Sequence, residues 1–405
     1  MGVPAAAAPG LNGMLDRAAK AVVVAVVLSV VIIAGWGSGA TAIGGRLGGD
    51  YPEFHGAGRI VRQGDGHRLY DPVIQARSQR DLFPPGEPPG HLDFAYPPVV
   101  AAAYAPLSLL PYRLSYAVHT GLLMAALAVA LRLLSPAVDA LRRRPWVVYA
   151  LALSAYPMFR AVGAGQNTAL TVLAVAAWWR WRWDGRPFLA GLAAGALLYK
   201  PQFAVLFLVA VVLDRSLPAQ LGALTSGLAL WLASAAVAGV GWMGDFVAHA
   251  VDLPSMEQGV VGTSSASLPH AVQELLGSGA AATAVAVAAA AACGVAALVV
   301  WVRRRGLDAP YQLRAVGALA AAAVLVPPHV IFYDAGLLVL AGAGLAAAGG
   351  RWDRSGWLAL YLASFSGALA GALGFNPLVL VALAALAATL RSPGRDQALV
   401  SASRA

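Results

Sequence analysis

Apolar runs follow one another along most of the chain, separated by short turns rich in arginine, glycine and proline. Runs of this kind are typical of helices that cross a membrane. The pattern predicts about twelve crossings, several of them shorter than the ~20 residues that a straight span needs. The predicted spans lie at about 20–43, 113–134, 146–163, 167–182, 187–200, 202–213, 219–242, 279–302, 312–327, 330–349, 356–372 and 375–391.

Two polar stretches interrupt this pattern. The first, 44–96, predicts a long extracytoplasmic loop with short helices along the membrane surface, or an ordinary folded loop. The second, 244–277, contains acidic residues but no lysine or arginine, which favours an extracytoplasmic position. The run from Pro97 to Pro111 is short and bounded by prolines, so we expect a re-entrant or interfacial helix. We therefore predict one transmembrane domain, 20–391, between cytoplasmic tails at 1–19 and 392–405.

Positive charge sets the predicted orientation. The basic clusters fall mostly in short turns, as the charge bias of cytoplasmic loops requires, so both termini are predicted to be cytoplasmic. The net charge of +9 is explained by these turns, and nucleic acid is not an expected partner. The lone Cys293 lies in an apolar run and excludes an internal disulfide. With 59% apolar and 12% charged residues, the chain is a polytopic, all-α membrane protein.

Polar residues that are unusual for apolar segments collect, in this topology, at the outer face of the membrane. Such groups are costly there and often functional, but each also has a structural explanation. Lys200 could extend from a helix end to the interface, and Asp334 could pair with a cation to hold two helices together. The candidates are Asp50, Glu53, Arg160, Gln166, Asn167, Lys200, Gln202, His329, Tyr333 and Asp334.

Several short motifs, in this order and spacing, resemble the polyprenol-phosphate-sugar-dependent glycosyltransferases of family 87, which have the membrane glycosyltransferase C architecture. They extend from about residue 44 to 335. The motifs are Asp50-Tyr51-x-x-Phe54-His55-x-Ala57 with Gly66 to Pro72, Ala95-Tyr96-Pro97-Pro98 with Ala105-Pro106-Leu107, Gly165-Gln166-Asn167, Ala190-Gly191 with Lys200-Pro201-Gln202, and Pro328-His329-x-x-x-Tyr333-Asp334.

The resemblance implies transfer of a sugar from a polyprenyl-phosphate donor to a glycolipid or glycan hydroxyl on the outer face of the cell membrane, with inversion. It also implies that Asp50 is the general base. Positive charge would stabilise the leaving phosphate, with Lys200, Arg160, Arg59 and Arg62 as candidates. His329 either binds that phosphate or orients Asp50. The expected sugar or acceptor ligands are Glu53, His55, Gln166, Asn167, Gln202, Tyr333 and Asp334.

The resemblance to mannosyltransferases that elongate phosphatidylinositol mannosides makes mannose the leading sugar, with other hexoses and arabinose open. No cofactor or metal is expected, because a lipid phosphate can leave without an obligatory metal. The main alternative is a secondary transporter or lipid flippase, in which Arg160, Lys200 and Asp334 would line a path. Transporters typically carry paired repeats with broken helices, and no such pairing is visible. A non-catalytic scaffold would leave the buried charges unexplained.

Overall fold

The computed structural model describes residues 11–36, 47–82, 91–256, 262–348 and 351–391. Helices make up nearly all of this part of the chain. Within it no strand forms, and one isolated bridge joins Ser265 to Ile331. The predicted all-α class is confirmed.

Many helices begin at a proline in the first turn, where the missing amide hydrogen costs no hydrogen bond. The first ten helices are α1 (Leu11–Trp36), α2 (Tyr51–Arg62), α3 (Pro72–Gln79), α4 (Pro98–Tyr104), α5 (Tyr112–Leu134), α6 (Asp139–Arg143), α7 (Pro145–Ser154), α8 (Tyr156–Gly163), α9 (Thr168–Trp183) and α10 (Pro187–Ala196).

The second half of the chain continues the same helical pattern. Its helices are α11 (Pro201–Leu213), α12 (Leu217–Ala238), α13 (Trp242–Met256), α14 (Leu268–Leu276), α15 (Ala280–Arg304), α16 (Ala309–Leu325), α17 (Leu338–Ala348), α18 (Arg351–Ser364), α19 (Ala370–Leu373) and α20 (Leu378–Leu390). Short 3-10 turns connect or extend them at Gly66–Arg68, Arg80–Leu82, Leu107–Leu109, Leu197–Tyr199, Gly262–Ser264, Phe332–Leu337 and Phe365–Leu369.

Four helical segments in the described ranges are long and apolar enough to cross a membrane: α5, α12, α15 and the segment Ser355–Leu373. Shorter apolar helices of 10–17 residues lie between and after them. These findings support the membrane class, while the number of about twelve crossings stays a prediction. The predicted span 146–163 is broken in the structure at Ala155 (φ −55°, ψ 128°), which leaves the helical conformation. Pro157 would lack a hydrogen bond inside a continuous helix, and it lies instead in the first turn of a separate helix, α8.

Small residues bring the helices close together. Gly191 of α10 and Gly222 of α12 let the two backbones meet, since a Cβ at either position would collide with a carbonyl oxygen of the other helix, that of Ala219 or Phe188. Close backbone approach through small residues is how helices associate in a membrane. The main core is formed mostly by α5, α9, α10, α11, α16 and α20.

The polar stretch before α5 folds into a helical unit with its own aromatic core. Helices α2, α3 and α4 pack around Tyr51, Phe54, Phe94 and Tyr104. Residues 44–46 and 83–90 of the predicted loop lie outside the described residues. We call the part that the structure describes, 47–82 and 91–107, the aromatic subdomain.

Other predicted segments also have defined structure. Residues 11–19 of the predicted N-terminal tail belong to α1. Within Pro97 to Pro111, α4 has seven residues, too few to cross a membrane. The acidic stretch 244–277 contains most of α13 and all of α14, and its residues 257–261 lie outside the described ranges, as does the tail 392–405. The domain boundaries stay predictions.

Candidate functional site

Two glycine turns lock together and bring Asp50 to the start of α9. Gly49 (φ +55°) and Gly165 (φ +72°) adopt the left-handed conformation that glycine tolerates best. A Cβ at Gly49 would lie 3.0 Å from the Ala164 Cα, and one at Gly165 would lie 2.8 Å from the Tyr51 Cβ. The Asp50 amide donates to the Ala164 carbonyl at 3.0 Å. These contacts leave no room for larger residues and fix the two turns relative to each other.

The side-chain amide of Gln166 contacts two carboxylates. The Gln166 Nε2 donates to Asp50 Oδ2 at 2.8 Å and lies 3.4 Å from Glu53 Oε1. Asp50 precedes the first turn of α2 but its side chain makes no capping hydrogen bond, and Glu53 lies in that first turn. The positive end of the helix dipole favours negative charge at both positions. Asp50 is half-buried, whereas Glu53 is only 7% exposed.

Tyr96 determines which way the Gln166 amide points. Its hydroxyl donates to Gln166 Oε1 at 2.9 Å. Burial raises the pKa of Tyr96 well above its ordinary value, and the charges of Glu53 and Asp334 add to this rise. The hydroxyl therefore keeps its proton and acts as the donor, so the Gln166 carbonyl faces Tyr96 and its NH₂ group faces the carboxylates.

Tyr96 is itself held in place by the aromatic subdomain. Its ring lies 5.1 Å from that of Phe54, and its backbone carbonyl accepts from the Tyr70 hydroxyl at 2.8 Å. Upstream, the Phe94 amide donates to the Gln75 side chain at 2.8 Å. The α3 helix therefore positions the extended segment that carries Tyr96.

A buried ion pair lies on the other side of Tyr96. Lys200 Nζ is 2.9 Å from Asp334 Oδ1, and both side chains are less than a tenth exposed. The ammonium also lies 5.4 Å from the centre of the Tyr96 ring, and the Thr168 hydroxyl donates to Asp334 at 3.4 Å. Lys200 sits at the break between α10 and α11, and Asp334 lies in the 3-10 turn before α17.

These contacts join residues from five separate stretches of the sequence. We call the group the Asp50 cluster, defined as Asp50, Glu53, Tyr96, Gln166, Lys200 and Asp334. Tyr333 is 8% exposed and lies within electrostatic reach of Asp50, Glu53 and Asp334.

Asn167 and Arg160 border the Asp50 cluster with unused donors. Asn167 Oδ1 accepts from the Tyr104 hydroxyl at 2.6 Å, but its buried Nδ2 has no partner among the described residues. Arg160 donates to the Tyr156 hydroxyl at 3.1 Å and lies 4.8 Å from the centre of the Phe332 ring. Its buried Nε has no partner in the same part of the chain. Buried polar atoms are almost always paired, so these donors require an explanation.

His329 lies in the turn between α16 and the Phe332–Leu337 segment. It is half-buried, and burial lowers its pKa. Lys200 lowers this pKa further while Asp334 opposes it, so His329 lies within electrostatic reach of the buried ion pair. Gln202, two residues after Lys200, is exposed.

His55, Arg59 and Arg62 face other parts of the aromatic subdomain. His55 is fully buried, with its Nδ1 3.2 Å from the Ser115 hydroxyl, and burial lowers its pKa to about 4. Arg59 pairs with Asp81, and Arg62 donates to a backbone carbonyl at 3.1 Å. With a rise of about 1.5 Å per residue, Arg59 and Arg62 lie about 13 and 18 Å along α2 from Asp50. The structure does not bring them to the Asp50 cluster.

Three residues in or next to the Asp50 cluster were absent from the sequence-based candidates. Tyr96 lies in the Tyr96-Pro97-Pro98 motif, so the motif itself was a usable signal. Thr168 directly follows Gln166-Asn167, but a threonine at the start of an apolar helix carries no signal of its own. His119 supports the Gly165 turn, because its Nε2 lies 2.9 Å from the Gly165 carbonyl oxygen. It belongs to α5, whose sequence predicts a membrane span.

The Asp50 cluster has the elements of a proton transfer next to an anion site. A carboxylate oriented by an amide can accept a proton from a hydroxyl. A buried ammonium, an arginine with an unused donor and a histidine can stabilise negative charge nearby. The carboxylate and the ammonium belong to one continuous group of contacts, which runs through Gln166 and Tyr96.

Comparison with known proteins adds an independent finding. The family model described as glycosyltransferase family 87 matches residues 94–328, more than half of the chain. Arg160, Gln166, Asn167, Lys200 and Gln202 fall inside the matched range, whereas Asp50, Glu53, His329 and Asp334 lie outside it. Neither the curated proteins nor the solved structures contain a significant match.

Proposed function

The chain belongs to glycosyltransferase family 87, and from this premise we propose that it transfers a hexose from a polyprenyl-phosphate donor to a lipid or glycan hydroxyl. The family and the membrane-length helices make it a membrane glycosyltransferase. We place the reaction at the outer face of the cell membrane, with inversion at the anomeric carbon. The orientation rests on the arginine-rich turns, which favour the cytoplasm.

The observation that carries the proposal is the contact of Gln166 with Asp50. A sugar acceptor is a poor nucleophile until its hydroxyl loses a proton, so a carboxylate within hydrogen-bond reach is required. Asp50 is half-buried at the amino end of α2 and is oriented by an amide that Tyr96 holds in one direction. In our proposal Asp50 takes the proton as the acceptor oxygen attacks. Glu53 shares the same amide and contacts the acceptor.

The leaving group is a polyprenyl phosphate, which already departs as a stable anion and needs positive charge rather than a proton. Lys200 and Arg160 supply that charge. In Lys200 the Asp334 contact occupies one N–H of the ammonium, which has three donors. The unpartnered Arg160 Nε adds a donor. His329 either joins them or orients Asp50.

The unused Asn167 Nδ2 supports a role in binding a sugar hydroxyl, because a buried amide without a partner is suited to a polar ligand. Tyr333 and Asp334 complete the sugar or acceptor contacts in this proposal. Mannose is the first sugar to test, and no metal enters the proposed reaction.

The decisive experiment supplies purified protein with radiolabelled polyprenyl-phosphate sugars, one at a time, together with membrane lipid extract. Label in a new lipid or glycan product identifies both substrates. The matched control is the Asp50→Asn variant, which should bind donor but form product about 10² to 10⁴ times more slowly. Movement of intact donor across vesicle membranes, with no transfer by wild-type protein, would instead support the transporter alternative.

A further inference from the structure

A polar cavity lies between the aromatic subdomain and the start of α5, at the end of α2 opposite Asp50. Its volume is about 470 Å³, and its walls come from the last turns of α2 and α3 and from the residues just before α5. Arg62, at its edge, is about 18 Å along α2 from Asp50, since each helical residue rises about 1.5 Å. The cavity is therefore separate from the Asp50 cluster.

Arginine dominates the charge of this cavity. Arg59, Arg62 and Arg77 line it, and Asp65 is the acidic residue among the lining residues. Arg59 is engaged with Asp81, and Arg62 uses Nη1 on the Ser108 carbonyl at 3.1 Å. Arg77 has no side-chain partner within the described ranges. Three guanidinium groups thus line one concave surface. Arg62 donates through one nitrogen only, and Arg77 keeps all its donors available within the described ranges.

The remaining wall is apolar and adjoins the start of α5. Leu109, Leu110 and Pro111 line the cavity, and Pro111 directly precedes α5, a helix long enough to cross a bilayer. Leu109 is 66% exposed. The end of such a helix lies near the depth of lipid phosphates, whichever side of the membrane it faces. An arginine-lined cavity with an apolar wall at that depth matches a charged head attached to a hydrocarbon chain.

We propose that this cavity binds the phosphate of an anionic membrane lipid. Arg62 and Arg77 contact the phosphate oxygens, because the planar guanidinium donates to phosphate through paired N–H groups. The first carbons of the lipid chain lie over Leu109. Arg59 stays paired with Asp81 and contributes long-range attraction. The site is independent of the sugar donor and of the role of Asp50.

The test compares two arginines of the same short segment. Both are exposed, but Arg77 lines the cavity and Arg80, three residues later, does not. Native mass spectrometry of detergent-purified full-length protein should measure retention of phosphatidylglycerol and of phosphatidylcholine. We expect Arg77→Gln to weaken phosphatidylglycerol binding about tenfold, as for loss of one charge-assisted hydrogen bond. Arg80→Gln should bind like wild-type protein, and phosphatidylcholine should bind weakly to all three.

Two results would overturn the proposal. Equal retention of phosphatidylglycerol by Arg77→Gln and wild-type protein would show that the cavity is not the lipid site. Full displacement of the lipid by millimolar inorganic phosphate would indicate a site for soluble anions. Arg62→Gln is the second variant, and its melting temperature without lipid should match that of wild-type protein, so that a folding defect is recognised. Since Asp50 remains intact, sugar transfer by these variants tests the proposed function separately.

Discussion

Two polar groups in this protein combine carboxylates with cations, but they differ in whether all their hydrogen bonds are made. The Asp50 cluster retains unused donors at its border, in Asn167 and Arg160. At the predicted cytoplasmic end, Arg182 lies 2.6 Å from Asp214, donates to Gln312 at 2.9 Å and stacks on Trp301 at 4.8 Å. Every nitrogen of its guanidinium has a partner.

Complete pairing of Arg182 identifies a group that holds α9, α11, α15 and α16 together. Asp214 is likewise shared, since it also accepts from the Trp301 indole at 3.2 Å. A buried polar group with all its hydrogen bonds made has no capacity left for a ligand. The residues at the border of the Asp50 cluster keep that capacity, and the group around Arg182 does not. This difference is our reason for proposing the first as a binding site and the second as a structural ion pair.

The largest effect should come from Asp50→Asn. The amide keeps the size of the side chain and can still accept from Gln166, but it cannot take a proton. Sugar transfer should fall by about 10² to 10⁴, the usual contribution of a positioned base, while the melting temperature and donor binding stay near wild type. Transfer at the wild-type rate would remove Asp50 from the mechanism. If Glu53→Gln were then inactive, Glu53 would be the base.

Arg182→Ala should give the next largest effect, and on stability rather than chemistry. It removes the nearer of the two cations of Asp214, and Arg305 remains 3.6 Å away. The cost should therefore lie near the lower end of the about 3–5 kcal/mol that is typical when a buried ion pair loses one partner. Thermal unfolding in detergent should detect this, while the folded fraction keeps the wild-type kcat/KM. Arg180→Ala is the control, because Arg180 and Asp184 are each 31% exposed and such pairs contribute at most about 1 kcal/mol. Loss of activity without loss of stability would contradict the structural role.

Lys200→Ala should lower kcat/KM for the donor by about 10- to 100-fold, the effect of losing a charged hydrogen bond. Because the phosphate is present in both the bound donor and the transition state, the apparent donor KM should rise as well as the rate fall. Steady-state kinetics with varied donor concentration measures this. Lys200→Arg keeps the charge and should retain most of the donor affinity. An unchanged KM in Lys200→Ala would limit Lys200 to pairing with Asp334.

Gln166→Met tests positioning, with an expected decrease in kcat of about tenfold and little change in donor KM. The lost hydrogen bond favoured the ionised form of Asp50, so its pKa should rise. Since the base must be ionised, activity should then decline at a higher pH than in wild-type protein as the solution is acidified. Gln63→Met, at an exposed position after the last turn of α2, should leave both values unchanged. An identical pH profile would show that Gln166 does not act through Asp50.

Chelation should have the smallest effect. Protein cations neutralise a monophosphate without an obligatory metal, so EDTA should leave the transfer rate within about twofold of the untreated value. Loss of activity that Mg²⁺ or Mn²⁺ restores would make Asp50, Glu53 or Asp334 a metal ligand. The Asp50 cluster would then differ from the residues around Arg182 in binding a metal ion.

The sequence alone determined the class of this protein and its family. Hydropathy and charge are properties of local stretches, so apolar runs and arginine-rich turns identify membrane helices without any knowledge of packing. Short motifs in order, such as Gly165-Gln166-Asn167, were enough to indicate family 87, and the family model matches 94–328. The helix ends were harder to predict, as the break at Ala155 shows, because they depend on local backbone geometry.

Only the tertiary structure decided which candidates meet. Gln166 reaches Asp50 across 116 residues of sequence, and Lys200 reaches Asp334 across 134. Nothing in either local sequence specifies such a pairing, because it arises from interlocked glycine turns and from the helices that pack around them. The same packing placed Arg59 and Arg62 around a cavity away from the Asp50 cluster. Residue type and order therefore indicate which groups are available, and packing alone determines which of them can act together.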